Sequence, residues 1–147
     1  MKIIFQKNKI SYKENFEKFS ELNSHSGAIL SFIGKVRPTN YDKSVTSIDI
    51  EIYEKMATTQ MEKIIIKLNT KYKILDYLII HRYGKIYPGE NIVAIFVCSK
   101  HRKEAFRFLE ETVDWLKVKI TFWKKENYTD HSEWVEQKKK DKEFVSD

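Results

Sequence analysis

Cysteine is almost missing from this chain: there is one, Cys98, in 147 residues. No disulfide can form within the chain, which fits a reducing compartment such as the cytoplasm. Cys98 closes the apolar run Ile92 to Cys98 and reads as a buried, inert thiol, so the chain offers no sulfur nucleophile of its own. Glycine is also scarce, at four residues. No Gly-rich phosphate loop exists, which argues against a doubly wound nucleotide fold. Long apolar runs are absent, so no membrane span is expected. The opening MKIIFQKNK is too short an apolar run for a signal peptide. The four histidines are scattered, and no Cys/His cluster has metal-ligand spacing. There is no G-x-S-x-G, and Asp49 and Glu51 alternate as an exposed strand face does. Neither a metal nor a bound cofactor is expected.

The chain is rich in positive charge. Lys and Arg total 27 against 21 acidic residues, a net +6. Such a balance suits an anionic partner, although much of it is general abundance of lysine. The hydrophobic content of 41% and aromatic content of 14% support a core, and a chain this long buries about two-thirds of its unfolded surface. One domain over residues 1–136 is expected, followed by a charged tail over 137–147 in which Lys138 to Lys140 are solvated.

Periodicity places the elements. Residues 1–5 read as a short strand and 12–22 as a helix capped by Ser11. Gly27 to Arg37 alternates as a strand, with Lys35 and Arg37 side by side at its end. Gly34 within it suggests a bulge or a close backbone approach. Pro38 to Ser44 reads as a polar, mobile loop. Val45 to Tyr53 is a strand, 56–69 a helix, and Ile74 to Arg82 a strand ended by Gly84. Tyr87-Pro88-Gly89-Glu90 is a turn. Asn91 to Cys98 is nearly all apolar and should be a central strand covered on both faces. A helix over 101–117 follows, with Ser99 as its N-cap, then a strand from Ile120 to Glu126 and a short element at Trp134-Val135. Strands adjacent in sequence and short loops predict an α+β fold with a mixed, largely antiparallel sheet and packed helices.

The 101–117 helix has an odd charge order. Lys100, His101, Arg102 and Lys103 crowd its first turn, where the dipole favours anions. A bound anion there, joined by Arg37, would relieve the conflict; a solvated, lysine-rich helix surface would show the same pattern. Lys35, Arg37, His101, Arg102, Lys117 and Lys124 together form a cation set able to bind phosphate and stabilise developing negative charge.

Several segments, in order across roughly residues 27–135, carry a resemblance. They are Gly27-Ala28 with Phe32-Ile-Gly34-Lys35-Val36-Arg37, then Glu51-x-Tyr53-x-x-Met56. His81-Arg82-x-Gly84-x-x-x-Pro88-Gly89-Glu90, His101-Arg102-x-x-Ala105-Phe106 and Asp114-x-x-Lys117 follow. Phe122-Trp123-Lys124-Lys125-Glu126 and Trp134-Val135 complete the set. The chain resembles the large, catalytic subunit of molybdopterin synthases. The resemblance implies an α/β-hammerhead fold and a sulfurtransferase that puts two sulfurs into cyclic pyranopterin monophosphate to make molybdopterin. It implies as partner a small ubiquitin-like sulfur-carrier subunit with a thiocarboxylated C-terminal glycine, whose tail enters a pocket of the large subunit. It also implies a homodimer of large subunits within a heterotetramer. By position, Lys117 and Lys124 match the catalytic lysines, and Arg37, His101 and Arg102 the substrate-binding cations. Lys35, Val36, Lys125 and Glu126 match residues flanking the same pocket. Thr121 stands where the family usually has proline, and Tyr41-Asp42-Lys43 lacks its usual glycine. The other readings are a basic nucleic-acid-binding domain, which lacks a continuous basic stripe or a module signature, and a non-catalytic paralogue, against which the two lysines count.

Overall fold

The computed structural model describes residues 1–135; the expected tail over 137–147 lies outside the described residues. The fold is built around the expected central strand, β7 (Asn91–Ser99). It lies between β5 (Asp76–Arg82) and β2 (Ala28–Lys35), antiparallel to both. Beyond β5 runs β1 (Lys2–Gln6), parallel to it, so the sheet order is β1-β5-β7-β2.

Strand alternation divides the apolar run of β7 between two layers. Val93, Ile95 and Val97 enter one core with helices α2 (Glu54–Tyr72) and α3 (Arg102–Val118). Ala94, Phe96 and Cys98 enter another beneath α1 (Tyr12–Leu22), where Phe19 is buried. Phe96 is wholly buried and packs against the rings of Tyr12, Phe16 and Phe19, with centroids 5.7, 6.3 and 5.9 Å away. Burial of one such side chain is worth about 2–3 kcal/mol. The helical stripes fall where the 3.6-residue period put them: Ala57, Met61, Ile64, Ile65 and Leu68 of α2 are buried, as are Ala105, Phe108, Thr112 and Leu116 of α3. The Ser11 hydroxyl caps α1 by accepting from the Glu14 N–H at 3.4 Å.

A second sheet carries the rest, so the strands form two sheets rather than one. Its order is β3 (Thr39–Asn40), β4 (Lys43–Ile52), β8 (Phe122–Tyr128) and β9 (Ser132–Trp134), with β6 (Gly84–Ile86) also paired to β4. Its buried side holds Val36, Val45, Ile48, Ile50, Ile86 and Tyr128.

Three local expectations are corrected or sharpened. Ser99 is not the N-cap of α3. Its pairing with Ala28 keeps it in β7, its hydroxyl donates to the His101 carbonyl at 2.5 Å, and His101 takes the cap position without a side-chain cap bond. Gly34 sits at a register shift in β2, and a Cβ there would lie 2.6 Å from a Val93 methyl, so both suggested reasons for glycine hold together. Residues 38–44 are not an irregular loop but a hairpin, with Tyr41 and Asp42 at φ +49° and +62° between β3 and β4. Both central residues are left-handed, a geometry that favours Asn-Gly. Replacing the pair, Tyr41→Asn with Asp42→Gly, should therefore stabilise the protein by about 1 kcal/mol. Thermal unfolding should rise by a few degrees; a fall would mean that the tyrosine ring contributes more than its backbone strain costs.

Candidate active site

The site forms where β8 leaves α3. The helix ends at Val118, and the chain reverses through residues 119–121. Thr121 holds this reversal: its N–H donates to Gln60 Oε1 at 3.2 Å, and its hydroxyl accepts from Gln60 Nε2 at 3.4 Å. Proline at this position has no N–H to give, so the threonine is matched by a partner on α2. Strand β8 then pairs antiparallel with β4, placing Lys124 opposite Ile50 and Glu126 opposite Ile48. Alternation sets Phe122, Lys124, Glu126 and Tyr128 on one face and Trp123, Lys125 and Asn127 on the other.

The inner face closes a narrow cavity of about 50 Å³ whose lining includes Lys35, Val36, Arg37, Asn40, Lys124 and Glu126. Its Lys35-Val36 wall is tied to the 87–90 turn. The Val36 N–H donates to the Glu90 carbonyl at 3.1 Å, the Gly89 N–H to the Val36 carbonyl at 2.8 Å, and Lys35 Nζ to the Gly89 carbonyl at 3.2 Å. The turn is in turn anchored by buried Arg82. Its Nη1 donates to Glu90 Oε2 at 2.7 Å, while Nε and Nη2 donate to the Lys7 carbonyl at 3.2 and 3.1 Å. The Arg82 guanidinium holds the Glu90 carboxyl below the usual glutamate range. The His81-Arg82…Glu90 pattern thus braces the cavity wall rather than facing the cavity. Glu90→Ala leaves a buried guanidinium without its carboxylate and should cost about 2–3 kcal/mol, read as a lower urea midpoint with unchanged slope. An unchanged midpoint would show the ion pair to be dispensable.

Glu126 is the acidic group of the lining and is 5% exposed. Its Oε2 accepts from Asn40 Nδ2 at 2.6 Å and from the Tyr128 hydroxyl; its Oε1 lies 3.8 Å from Lys124 Nζ. The bond to Glu126 raises the Tyr128 hydroxyl above the usual tyrosine range, so it stays a donor. Two residues before Lys124, the Phe122 ring stacks on His81 with centroids 4.3 Å apart and planes at 16°. Burial lowers the His81 imidazole to about 4.

The expected residues divide into groups. Lys35, Val36, Arg37, Lys124 and Glu126 are brought together. Lys117 is exposed in the last turn of α3. A 17-residue helix rises about 26 Å, nearly the length of the strand it follows, so this turn returns to the end of the molecule that holds the cavity. Lys125 lies on the opposite face of β8, its ammonium 5.7 Å from the Trp134 ring centroid, and does not line the cavity. His101 and Arg102 line a different depression of about 690 Å³ with Gly27, Lys100, Lys103, Phe106 and Arg107. The expected grouping of Arg37 with His101 and Arg102 is therefore not made within one chain. Lys35 pairs with Asn91 at the start of β7, and His101 follows Ser99 at its end; nine residues of strand put the two places roughly 27 Å apart. Gly27 belongs to the second place: its N–H donates to the Ser99 carbonyl at 3.0 Å, and a Cβ would stand 2.0 Å from the Lys100 carbonyl oxygen.

Cys98 is fully buried, and burial pushes its thiol above the usual range. Cys98→Ala should keep full turnover at a stability cost of about 1 kcal/mol; lost turnover in a folded variant would bring the thiol into the chemistry. Among the described residues no His/Cys/Asp/Glu group is arranged to hold a metal, and no helix is long and apolar enough to cross a membrane.

Residues 5–119 match the family model described as MoaE protein. The chain belongs to the MoaE family. A molybdopterin synthase catalytic subunit of Pyrococcus abyssi is 39% identical over 115 residues, covering 78% of this chain and 77% of that protein. One from Vibrio cholerae is 31% identical over 140 residues, covering 95% and 93%. That match is long enough to include β8, which lies beyond the family model's range. The molybdopterin synthase crystal structure from Staphylococcus aureus superposes with a TM-score of 0.83 at 29% identity, over 92% of this chain and 98% of that one. A complex of subunits 1 and 2 of molybdopterin-converting factor from Helicobacter pylori shares the fold, with a TM-score of 0.78 at 19% identity, over 92% and 90%. The α+β MoaE fold expected from the sequence is thus the observed one. Sequence reasoning passed over two residues of this MoaE chain: Asn40, which lines the cavity, and Tyr128, which stands behind Glu126. Tyr128 lies two and four residues beyond Glu126 and Lys124, so the strand period alone had the signal. Asn40 had none, because 86 residues separate it from Glu126.

Proposed function

We propose that this chain is the catalytic subunit of a molybdopterin synthase. In this reading it is a cytoplasmic sulfurtransferase that converts cyclic pyranopterin monophosphate to molybdopterin. Sulfur comes from the C-terminal thiocarboxylate of a small ubiquitin-like carrier. The observation that carries the reading is the cavity walled by Lys35, Arg37 and Lys124 around buried Glu126, in a chain of this family. Both reactants are anions, and cations lining a narrow cavity attract them. An extended carrier tail is a familiar occupant of such a groove. With Cys98 sealed in the core, the sulfur is supplied from outside.

Lys117 contacts the thiocarboxylate and moves a proton as sulfur leaves the acyl carbon. Lys124 and Arg37 hold the pterin or its phosphate, with Lys35, Val36 and Glu126 shaping the pocket. His101 and Arg102 lie too far along β7 to join within one chain, so in this reading they reach the cavity from the second large subunit of a homodimer, giving a heterotetramer with two carriers. Lys125, on the outer face, flanks the site without entering it.

The test combines the purified chain with a thiocarboxylated carrier and the cyclic pterin, assayed for dithiolene product. Conversion at one pterin per two carrier thiocarboxylates supports the reading. No product from a carrier that binds would favour a non-catalytic paralogue.

A further inference from the structure

We propose that Tyr128 is a positioning residue for Lys124 and acts through the Glu126 carboxylate, with Asn40 as the second holder. This deepens the proposed function and rests on it. The geometry is a chain of contacts from outside the cavity inward. Tyr128 stands on the same face of β8 as Lys124 and Glu126 but is not part of the cavity lining. It is 8% exposed and sits in the core of the second sheet. Its hydroxyl and the Asn40 amide both donate to Glu126 Oε2, and the same amide lies 3.4 Å from the tyrosine oxygen.

Two donors on one oxygen stop the carboxylate from rotating. The other oxygen, Oε1, is then the one presented to Lys124 at 3.8 Å. A long lysine has several rotamers to choose from, and a buried carboxylate fixed on one side of it selects among them. Asn40 adds a second consequence: its bond joins the β3–β4 hairpin to the carboxylate, so the hairpin and the lysine are set by the same group. The ring of Tyr128 is held separately, stacked on His131 with centroids 4.9 Å apart and planes at 21°. Removing only the hydroxyl therefore leaves the packing in place.

The test uses Tyr128→Phe in the full chain with the thiocarboxylated carrier and cyclic pterin. Loss of one hydrogen bond to a charged group predicts roughly a tenfold fall in kcat, with KM for the pterin and carrier affinity nearly unchanged. Asn40→Ala should act in the same direction. In a Glu126→Gln background, Tyr128→Phe should cause no further loss, because the group it acts through is gone. A second readout is independent of turnover: the 13C-dimethyl-lysine resonance of Lys124 should shift in Tyr128→Phe and not in Tyr12→Phe. Unchanged kcat with an unmoved Lys124 resonance overturns the proposal, as does a loss that multiplies fully in the double variant. Failure of the unsubstituted protein to make product would strike the proposed function instead, and the resonance would still decide the Tyr128 contact.

Discussion

Lys117→Ala and Lys124→Ala are each expected to lower kcat by about 10²- to 10³-fold while the carrier still binds. The magnitude is that of removing one preorganised charge from a site where negative charge develops. Lys124 lines the cavity, faces buried Glu126 and lies on a strand locked by the Phe122–His81 stack. An ammonium placed in this way acts mainly as bonds rearrange, so its loss falls on kcat more than on KM. Lys117 stands in the last helical turn, where the dipole favours a cation. It is exposed and does not line the cavity, so its effect depends on the incoming tail bringing the thiocarboxylate to it. The control is Lys13→Ala, an exposed lysine of α1, which should leave turnover unchanged. The measurement is single-turnover product formation at saturating carrier, beside carrier affinity by calorimetry. Near-normal turnover by either variant would remove that lysine from the mechanism.

Acidification should destabilise the protein well before its carboxylates titrate. His81 is buried between Phe5 and Phe122, and its Nδ1–H donates to the Arg82 carbonyl at 2.8 Å. A carbonyl only accepts, so the proton is on Nδ1. Burial favours the neutral ring and lowers its pKa from 6.5 to about 4. The sign follows from linkage: between these values the unfolded chain binds a proton that the folded chain refuses, so stability falls as pH falls. The contribution is complete above about pH 6.5 and lost by about pH 4. A difference of that size corresponds to about 3 kcal/mol at most. Below it, protonation of Glu90 would remove the Arg82 pair as well. Urea unfolding from pH 7.5 to 4.5 measures the slope. His81→Phe keeps an aromatic ring against Phe122 and should flatten the slope, although its stability at pH 7 is lower for the lost hydrogen bond. An equally steep slope in that variant would assign the titration to another group.

How far the site was legible follows from the kind of signal each residue gives. Lys35 and Arg37 were readable because period two sets them side by side at a strand end, whereas the places of Val36, Lys124 and Glu126 in the pocket came from the family resemblance. Lys125 follows Lys124 in sequence, but the same period sets it on the far face of β8, beside the cavity and not in its lining. The Arg37–His101–Arg102 grouping is not made within one chain, which the sequence could not show. Charge order at a helix start indicates a place for an anion, but not which other cations share it.

The residue pattern by itself determined the longer strands, the three helices and the covering of β7 on both faces, because apolar periodicity acts within a few residues; the short β3 and β6 escaped it. It also determined that Cys98 is buried, since an apolar run that dense must be interior. Only the tertiary structure decided that the strands form two sheets, that residues 38–44 pair as a hairpin, and that Arg82 and Glu90 brace the cavity wall. It alone brought Asn40 to Glu126. Those outcomes rest on contacts between segments far apart in the chain or on a backbone turn without its usual glycine, and neither leaves a local pattern. The strand that separates Arg37 from His101 is visible in the sequence as length. Its direction, and so the distance it imposes, exists only once β7 is paired.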